Sequence, residues 1–279
     1  MCGEGFVEGG QVIKAYVKPY NTPWREVEAV DSDGLAIFEG CIILGRTDQV
    51  QESHKDLEQQ IASMPKLLTE ASVETRGAGI VGAQFRWKNR MIPFRIASDV
   101  PDQNRITDAI AHWHAKTSIR FVPRSNETDF LFFKRDNRGC ASMVGRRGGM
   151  QEIILGDFCT RGNIIHELGH AVGLWHEQCR RDRDQFIAID LDNVKPESAH
   201  NFKQRLVETV DLGGYDFGSI MHYPPTAFAV APGLTTIKPK QPLPAGVVMG
   251  QRDALSAGDV ASVEALYAGV PMPRPSSGG

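Results

Sequence analysis

Residues 166–176 read His166-Glu167-Leu168-Gly169-His170-Ala171-Val172-Gly173-Leu174-Trp175-His176, the pattern H-E-x-x-H-x-x-G-x-x-H. On a helix, His166 and His170 stand at i and i+4, so both imidazoles leave one face a turn apart. Two ring nitrogens at that spacing can share one zinc ion. Glu167 follows the first ligand and points to the side, where it can reach a water at the metal without being a ligand. Gly173 can take a positive φ, end the helix sharply and bring His176 back as a third ligand. Three protein ligands leave one coordination position open, which marks a catalytic zinc site rather than a structural one. A lone histidine is usually a satisfied core residue; three at this spacing beside a glutamate are not explained that way.

Downstream lies Ser219-Ile220-Met221-His222-Tyr223. A Met-turn after the third histidine is the second part of the metzincin signature. Met221 would form a soft apolar floor under the ligands. With both segments present, the chain resembles the astacin family of metzincin zinc endopeptidases. The resemblance extends to Glu177 after the third histidine, to Arg180-x-Asp182-Arg183-Asp184, and upstream to Trp87, Ile92-Pro93-Phe94 and Ile119–Arg124. It runs from about Ala78 to about Ala268.

The resemblance implies roles by position. His166, His170 and His176 would hold one Zn2+ per chain, and Glu167 would be the general base and acid. Tyr223 would be a resting zinc ligand that swings away to stabilise the oxyanion. Glu177 would receive the buried N-terminus of a mature enzyme. Gly148–Leu155 resembles the substrate-binding edge strand. Cys140 and Cys159 occupy the positions of a family disulfide, whereas Ser118 stands where a second disulfide would have a cysteine. The implied activity is hydrolysis of protein or peptide substrates. An S1′ pocket within Pro224–Phe228 contains no basic residue, so a taste for acidic side chains there is not indicated.

Composition agrees with one sizeable domain plus an accessory segment. The chain has 279 residues, 41% of them hydrophobic, enough to bury a core. A net charge of −3 argues against nucleic acid as a partner. No apolar run is long enough to span a membrane. The start, Met1-Cys2-Gly3-Glu4-Gly5, has neither a basic nor an apolar leader region. Five cysteines leave at least one outside any intramolecular disulfide. A Cys140–Cys159 bridge would suit a secreted or extracytoplasmic protein; two free buried thiols are the other reading. A monomer is expected.

Residues 1–77 carry no zinc motif and read as an inhibitory propeptide, with an ordinary N-terminal subdomain as the alternative. Val50, Leu57, Ile61, Met64 and Leu68 recur at helical spacing, which predicts a helix over about 48–69. Thr75–Gly79 is a small-residue junction suited to proteolysis. Cleavage by an activating protease or by self-processing is expected at Arg76, Gly77 or Ala78. Astacin propeptides resemble F-x-G-D-I, whose Asp caps the zinc. Here Phe38-Glu39-Gly40-Cys41-Ile42 keeps the frame but puts Cys41 at that position. A thiolate is a good zinc ligand, so Cys41 is expected on the metal of a latent form. Cys2 is the rival zinc-binding cysteine.

The expected fold is α+β: a zincin-like domain over 78–270 with a twisted, mostly parallel five-stranded sheet. Two long helices, over about 103–116 and from about Asn163, lie above it, with an irregular C-terminal half below. Ser256-x-x-Asp259 predicts the start of a final helix. Residues 271–279 read as a disordered tail. His112 and His114 face different sides of their helix and read as surface residues. A non-enzymatic zinc protein is the rival from another class; retention of Glu167 and Tyr223 argues against it, since binding alone needs neither.

Overall fold

The computed structural model describes residues 5–17, 25–52, 78–80, 82–204 and 209–272. The fold is α+β. Its centre is a nine-stranded sheet: β1 (Gln11–Val17), β2 (Arg25–Ser32), β3 (Leu35–Phe38) and β4 (Ile42–Arg46) come from the N-terminal segment. A two-residue strand, β5 (Gly79–Ile80), follows outside this sheet. The sheet continues with β6 (Met91–Ile96), β7 (Arg120–Pro123), β8 (Phe130–Arg135), β9 (Cys140–Ser142) and β10 (Met150–Leu155). The spatial order is β1-β2-β3-β4-β9-β10-β8-β6-β7.

The last five are the expected five-stranded, mostly parallel sheet. β10, β8, β6 and β7 pair in parallel, and β9 alone runs antiparallel, with Ile153 opposite Ser142. The expectation of a substrate-binding edge at 148–155 is corrected here. β10 lies inside the sheet, between β8 and β9. β9 is the edge of the catalytic half, and β4 covers it through a parallel pairing of Ile42 with Ser142.

The N-terminal strands were not legible as such. β2 and β3 are joined by Asp33-Gly34, both at positive φ (47° and 81°), the two-residue hairpin turn that an Asp-Gly pair favours. Ile13, Ala15, Val27 and Ala29 alternate with more exposed neighbours and form a separate core with Phe38, Ile80 and Trp175. The chain is helical over 47–52. The rest of the helix expected over 48–69 lies outside the described residues, as do Arg76, Gly77 and Cys2.

Helix α1 (Asn104–Lys116) buries Ile106, Ala109, Ile110 and Trp113, an i, i+3, i+4, i+7 face. This face packs on helix α2 (Arg161–Val172), onto whose Ile165 carbonyl Trp113 Nε1 donates at 3.2 Å. His112 and His114 are not free surface groups. Each Nε2 accepts a backbone N–H, from Leu255 at 3.0 Å and from Phe121 at 2.9 Å. Beyond α2 the chain is irregular, with short strands β11 (Ile187–Ile189), β12 (Thr209–Val210) and β13 (Ile237–Pro239). Helix α3 (Ala257–Leu266) then closes the domain, opened by the expected capping box of Ser256 and Asp259. Among the described residues no helix is long and apolar enough to cross a membrane.

Candidate metal centre

Helix α2 fixes the first two histidines. Thr160 caps its start: the Thr160 hydroxyl accepts from Asn163 N, and Asn163 Oδ1 accepts from Thr160 N at 2.9 Å. Gly173, at φ 123°, ends it and donates to the carbonyls of Gly169 and His170. The turn is held further by Leu174 N on Gly169 O and by Trp175 N on Ala78 O. His176 is thereby returned to the face of His166 and His170.

Cys41 enters the same point from the N-terminal segment. Its Sγ lies 3.5, 3.3 and 3.2 Å from the Nε2 atoms of His166, His170 and His176. The Nε2 atoms of His170 and His176 are 3.2 Å apart. A tetrahedral zinc with bonds of about 2.0–2.1 Å to nitrogen and about 2.3 Å to sulfur separates its ligand atoms by about 3.3–3.6 Å. The four buried residues therefore fit one such ion. Burial holds His166 and His170 well below the ordinary imidazole value, so both stay neutral with a lone pair to offer. Burial, reinforced by Glu167, pushes the Cys41 thiol well above its usual range; a bound cation reverses that preference.

The outer ring nitrogens are also held. His166 Nδ1 bonds to Ile220 O and His170 Nδ1 to Leu174 O, both at 2.8 Å. His176 Nδ1 bonds instead to Glu39 Oε2, at 2.8 Å. Sequence reasoning missed Glu39; the signal available was only an acid inside the Phe38–Ile42 frame. Gly40 permits this turn: at φ 71°, a Cβ there would meet Phe228 Cζ at 2.7 Å.

Glu167 is buried beside the cluster, its Oε2 without a hydrogen-bond partner among the described residues. Such an orphan acceptor has a natural use beside a metal-site water. Burial raises its carboxyl well above the usual range. Tyr223 is fully buried, its ring centroid 4.7 Å from that of His176. Its hydroxyl donates to Glu39 O at 2.6 Å. Met221 lies under α2, and a Cβ at Gly169 would meet its Sδ at 2.6 Å, so the glycine in the motif admits the sulfur. Asp259, read from sequence only as a cap, also accepts from Ser219 Oγ and Ile220 N and so pins the Met-turn.

Glu177 is buried and accepts from Asp216 N at 2.8 Å and from Arg180 Nη1 at 3.3 Å. Burial, opposed by Arg180, pushes its carboxyl up to about 8. Cys140 and Cys159 form a disulfide that ties β9 to the approach of α2. Cys179 is fully buried; its Sγ accepts from Gln178 Nε2 at 3.7 Å and lies within 4.8 Å of a His176 ring nitrogen and a Glu39 carboxylate oxygen.

A five-stranded mixed sheet, two long helices and three convergent histidines over a Met-turn define a metzincin-like zinc peptidase domain. Residues 80–268 match the family model of the astacin peptidases. The chain is 41% identical over 189 residues to Tolloid-like protein 2 of Homo sapiens, covering 65% of this chain and 18% of that protein. It is 39% identical over 203 residues to zinc metalloproteinase nas-13 of Caenorhabditis elegans, covering 68% of this chain and 44% of that one. Its span is thus less than half the length of these relatives. Among solved structures it is similar to high choriolytic enzyme 1, a hatching-enzyme zinc-protease from Oryzias latipes. That match has 35% identity and a TM-score of 0.58, and covers 73% of this chain and 98% of that one. The chain belongs to the astacin family, a family of zinc metalloendopeptidases.

Proposed function

We propose that this chain is a secreted zinc endopeptidase in latent form, with residues 1–77 as its inhibitory propeptide and 78–270 as its catalytic domain. The observation that carries the reading is the convergence of His166, His170, His176 and Cys41 at the spacing of a tetrahedral ligand set. The three histidines would hold one zinc per chain, which when bound polarises a peptide carbonyl and acidifies water. Glu167 takes the proton of the attacking water and returns it to the leaving amine. Tyr223 supplies a hydroxyl to the charge that develops on the carbonyl oxygen. Strand β9, covered here by Ile42, would pair with an extended protein or peptide substrate once the N-terminal segment leaves.

Latency follows from the same contacts. Cys41 would take the fourth position on a zinc held by the three histidines and keep water from it, and the Glu39 carbonyl occupies the Tyr223 hydroxyl. Cleavage near Arg76–Ala78 would free the cleft and create an ammonium for Glu177. The Cys140–Cys159 disulfide supports an extracytoplasmic setting.

Glu167→Ala tests the enzyme assignment. The processed variant should keep about one zinc per chain and lose casein cleavage by several orders of magnitude. Cleavage at the wild-type rate would refute the assigned role.

A further inference from the structure

The three histidines differ in what holds their outer nitrogens. His166 and His170 lean on backbone carbonyls of the catalytic half, at Ile220 and Leu174. His176 leans on the carboxylate of Glu39, from the N-terminal segment. Both side chains of that pair are 0% exposed. A carboxylate taken fully out of water is costly unless its partner is close and well placed. Glu39 also holds a left-handed backbone, φ 48°, directly before Gly40 at 71°; for a residue with a Cβ this costs roughly 1–2 kcal/mol. The sequence tolerates both costs at one residue. The turn that results sends Glu39 to one side of His176 and Cys41 to the other.

We propose that Glu39 is a positioning residue for the metal: the N-terminal segment completes a carboxylate–histidine–metal relay through His176 and so strengthens the grip on zinc. The proposal rests on the reading of the three histidines as ligands. With Glu39 Oε2 as the acceptor 2.8 Å from Nδ1, the Nε2 lone pair of His176 would face the cluster, 3.2 Å from Cys41 Sγ. The negative charge makes that imidazole a better donor to a cation, and such partners are typically worth 10–100-fold in metal affinity. The segment therefore has two separable actions. Cys41 blocks the open position, and Glu39 tightens a ligand that stays behind. When residues 1–77 leave, His176 loses its carboxylate, and the processed enzyme should hold zinc less tightly than the precursor.

The test is zinc transfer from the full-length, zinc-loaded chain to a chromophoric chelator. The wild type is compared with Glu39→Gln, Glu39→Ala, Cys41→Ala and the Cys41→Ala/Glu39→Ala double variant, each checked for intact length and a cooperative melt. Glu39→Ala should release zinc about 10–100-fold more readily than its parent, with Cys41 present or replaced. Glu39→Gln keeps an acceptor oxygen without the charge and should fall between; it carries the test if the alanine variant does not fold. Zinc release from Glu39→Gln equal to the wild type would overturn the proposal, as would equality of the double variant with Cys41→Ala. Cys41→Ala alone with unchanged zinc hold and unchanged latency would instead remove the latch and leave the Glu39 relay standing. Absence of stoichiometric zinc in every form would remove the ligand reading beneath both.

Discussion

The carboxylate of Asp259 and the hydroxyl of Ser219 lie 2.6 Å apart, and the second oxygen of Asp259 accepts from Ile220 N at 2.9 Å. The N-terminal turn of α3 thus holds the Met-turn, and the Ile220 carbonyl in turn holds His166. Removing the carboxylate strands two buried donors and a helix cap. Asp259→Ala should cost about 2–4 kcal/mol in urea unfolding of the full-length chain. A midpoint within error of the wild type would show that the Met-turn stands without it.

The C-terminal tie is polar rather than covalent. Glu264 accepts from Ser118 N at 2.7 Å, from Ser118 Oγ at 2.8 Å and from Arg90 Nη1 at 2.7 Å. Arg90 also donates to the carbonyls of Tyr267 and Val270. This network stands where the family resemblance leads one to expect a disulfide with a cysteine at Ser118. The Glu264 side chain is 39% exposed, so solvent screens part of the gain. Glu264→Ala should lower stability by about 1–2 kcal/mol, read as a lower melting temperature. An unchanged melt would make the network incidental.

Much of the candidate metal centre is legible in the sequence because its geometry is local. His166 and His170 need only a helical turn between them, and Gly173 only a positive φ. Cys41, singled out by its frame Phe38–Ile42, has its Sγ within 3.5 Å of the Nε2 atoms of all three histidines. Glu39 was not singled out, because its use depends on a left-handed turn and on His176, 137 positions away in sequence. Asp259 was read as a cap and serves as one, but its second duty at Ser219 spans 40 positions. The hairpin at Asp33-Gly34 carried a short-range signal that helical spacing further on overshadowed. Which strand forms the edge could not be read from 148–155 itself. Strand order is set by long-range pairing, and the disulfide-bearing Cys140–Ser142 is outermost of the catalytic half's five strands, with β4 beside it.

His112 and His114 can accept backbone N–H groups only while neutral. Burial lowers both, with Arg161 adding for His112 and Arg120 for His114. A depressed imidazole contributes stability that is present above its unfolded value, about 6.5, and is lost as pH falls through the folded one. His114→Gln should therefore lose less stability than the wild type between pH 7.5 and 5, as read by paired urea titrations. Parallel pH profiles would contradict this.

Processing should leave an N-terminus within two residues of Gly77, read by N-terminal sequencing of the active species. Glu177→Ala should then destabilise the processed form more than the precursor, since only the former presents a new ammonium to the buried carboxylate. A start before residue 60, or equal losses in both forms, would contradict the anchoring role.

Zinc K-edge absorption on the full-length and processed chains reads directly whether Cys41 is a metal ligand in the precursor. The precursor should show one sulfur at about 2.3 Å with three nitrogens at about 2.0–2.1 Å, and the processed enzyme nitrogen and oxygen alone. A precursor with no sulfur in the shell, or one whose sulfur persists in Cys41→Ala, would rule out Cys41 as the ligand.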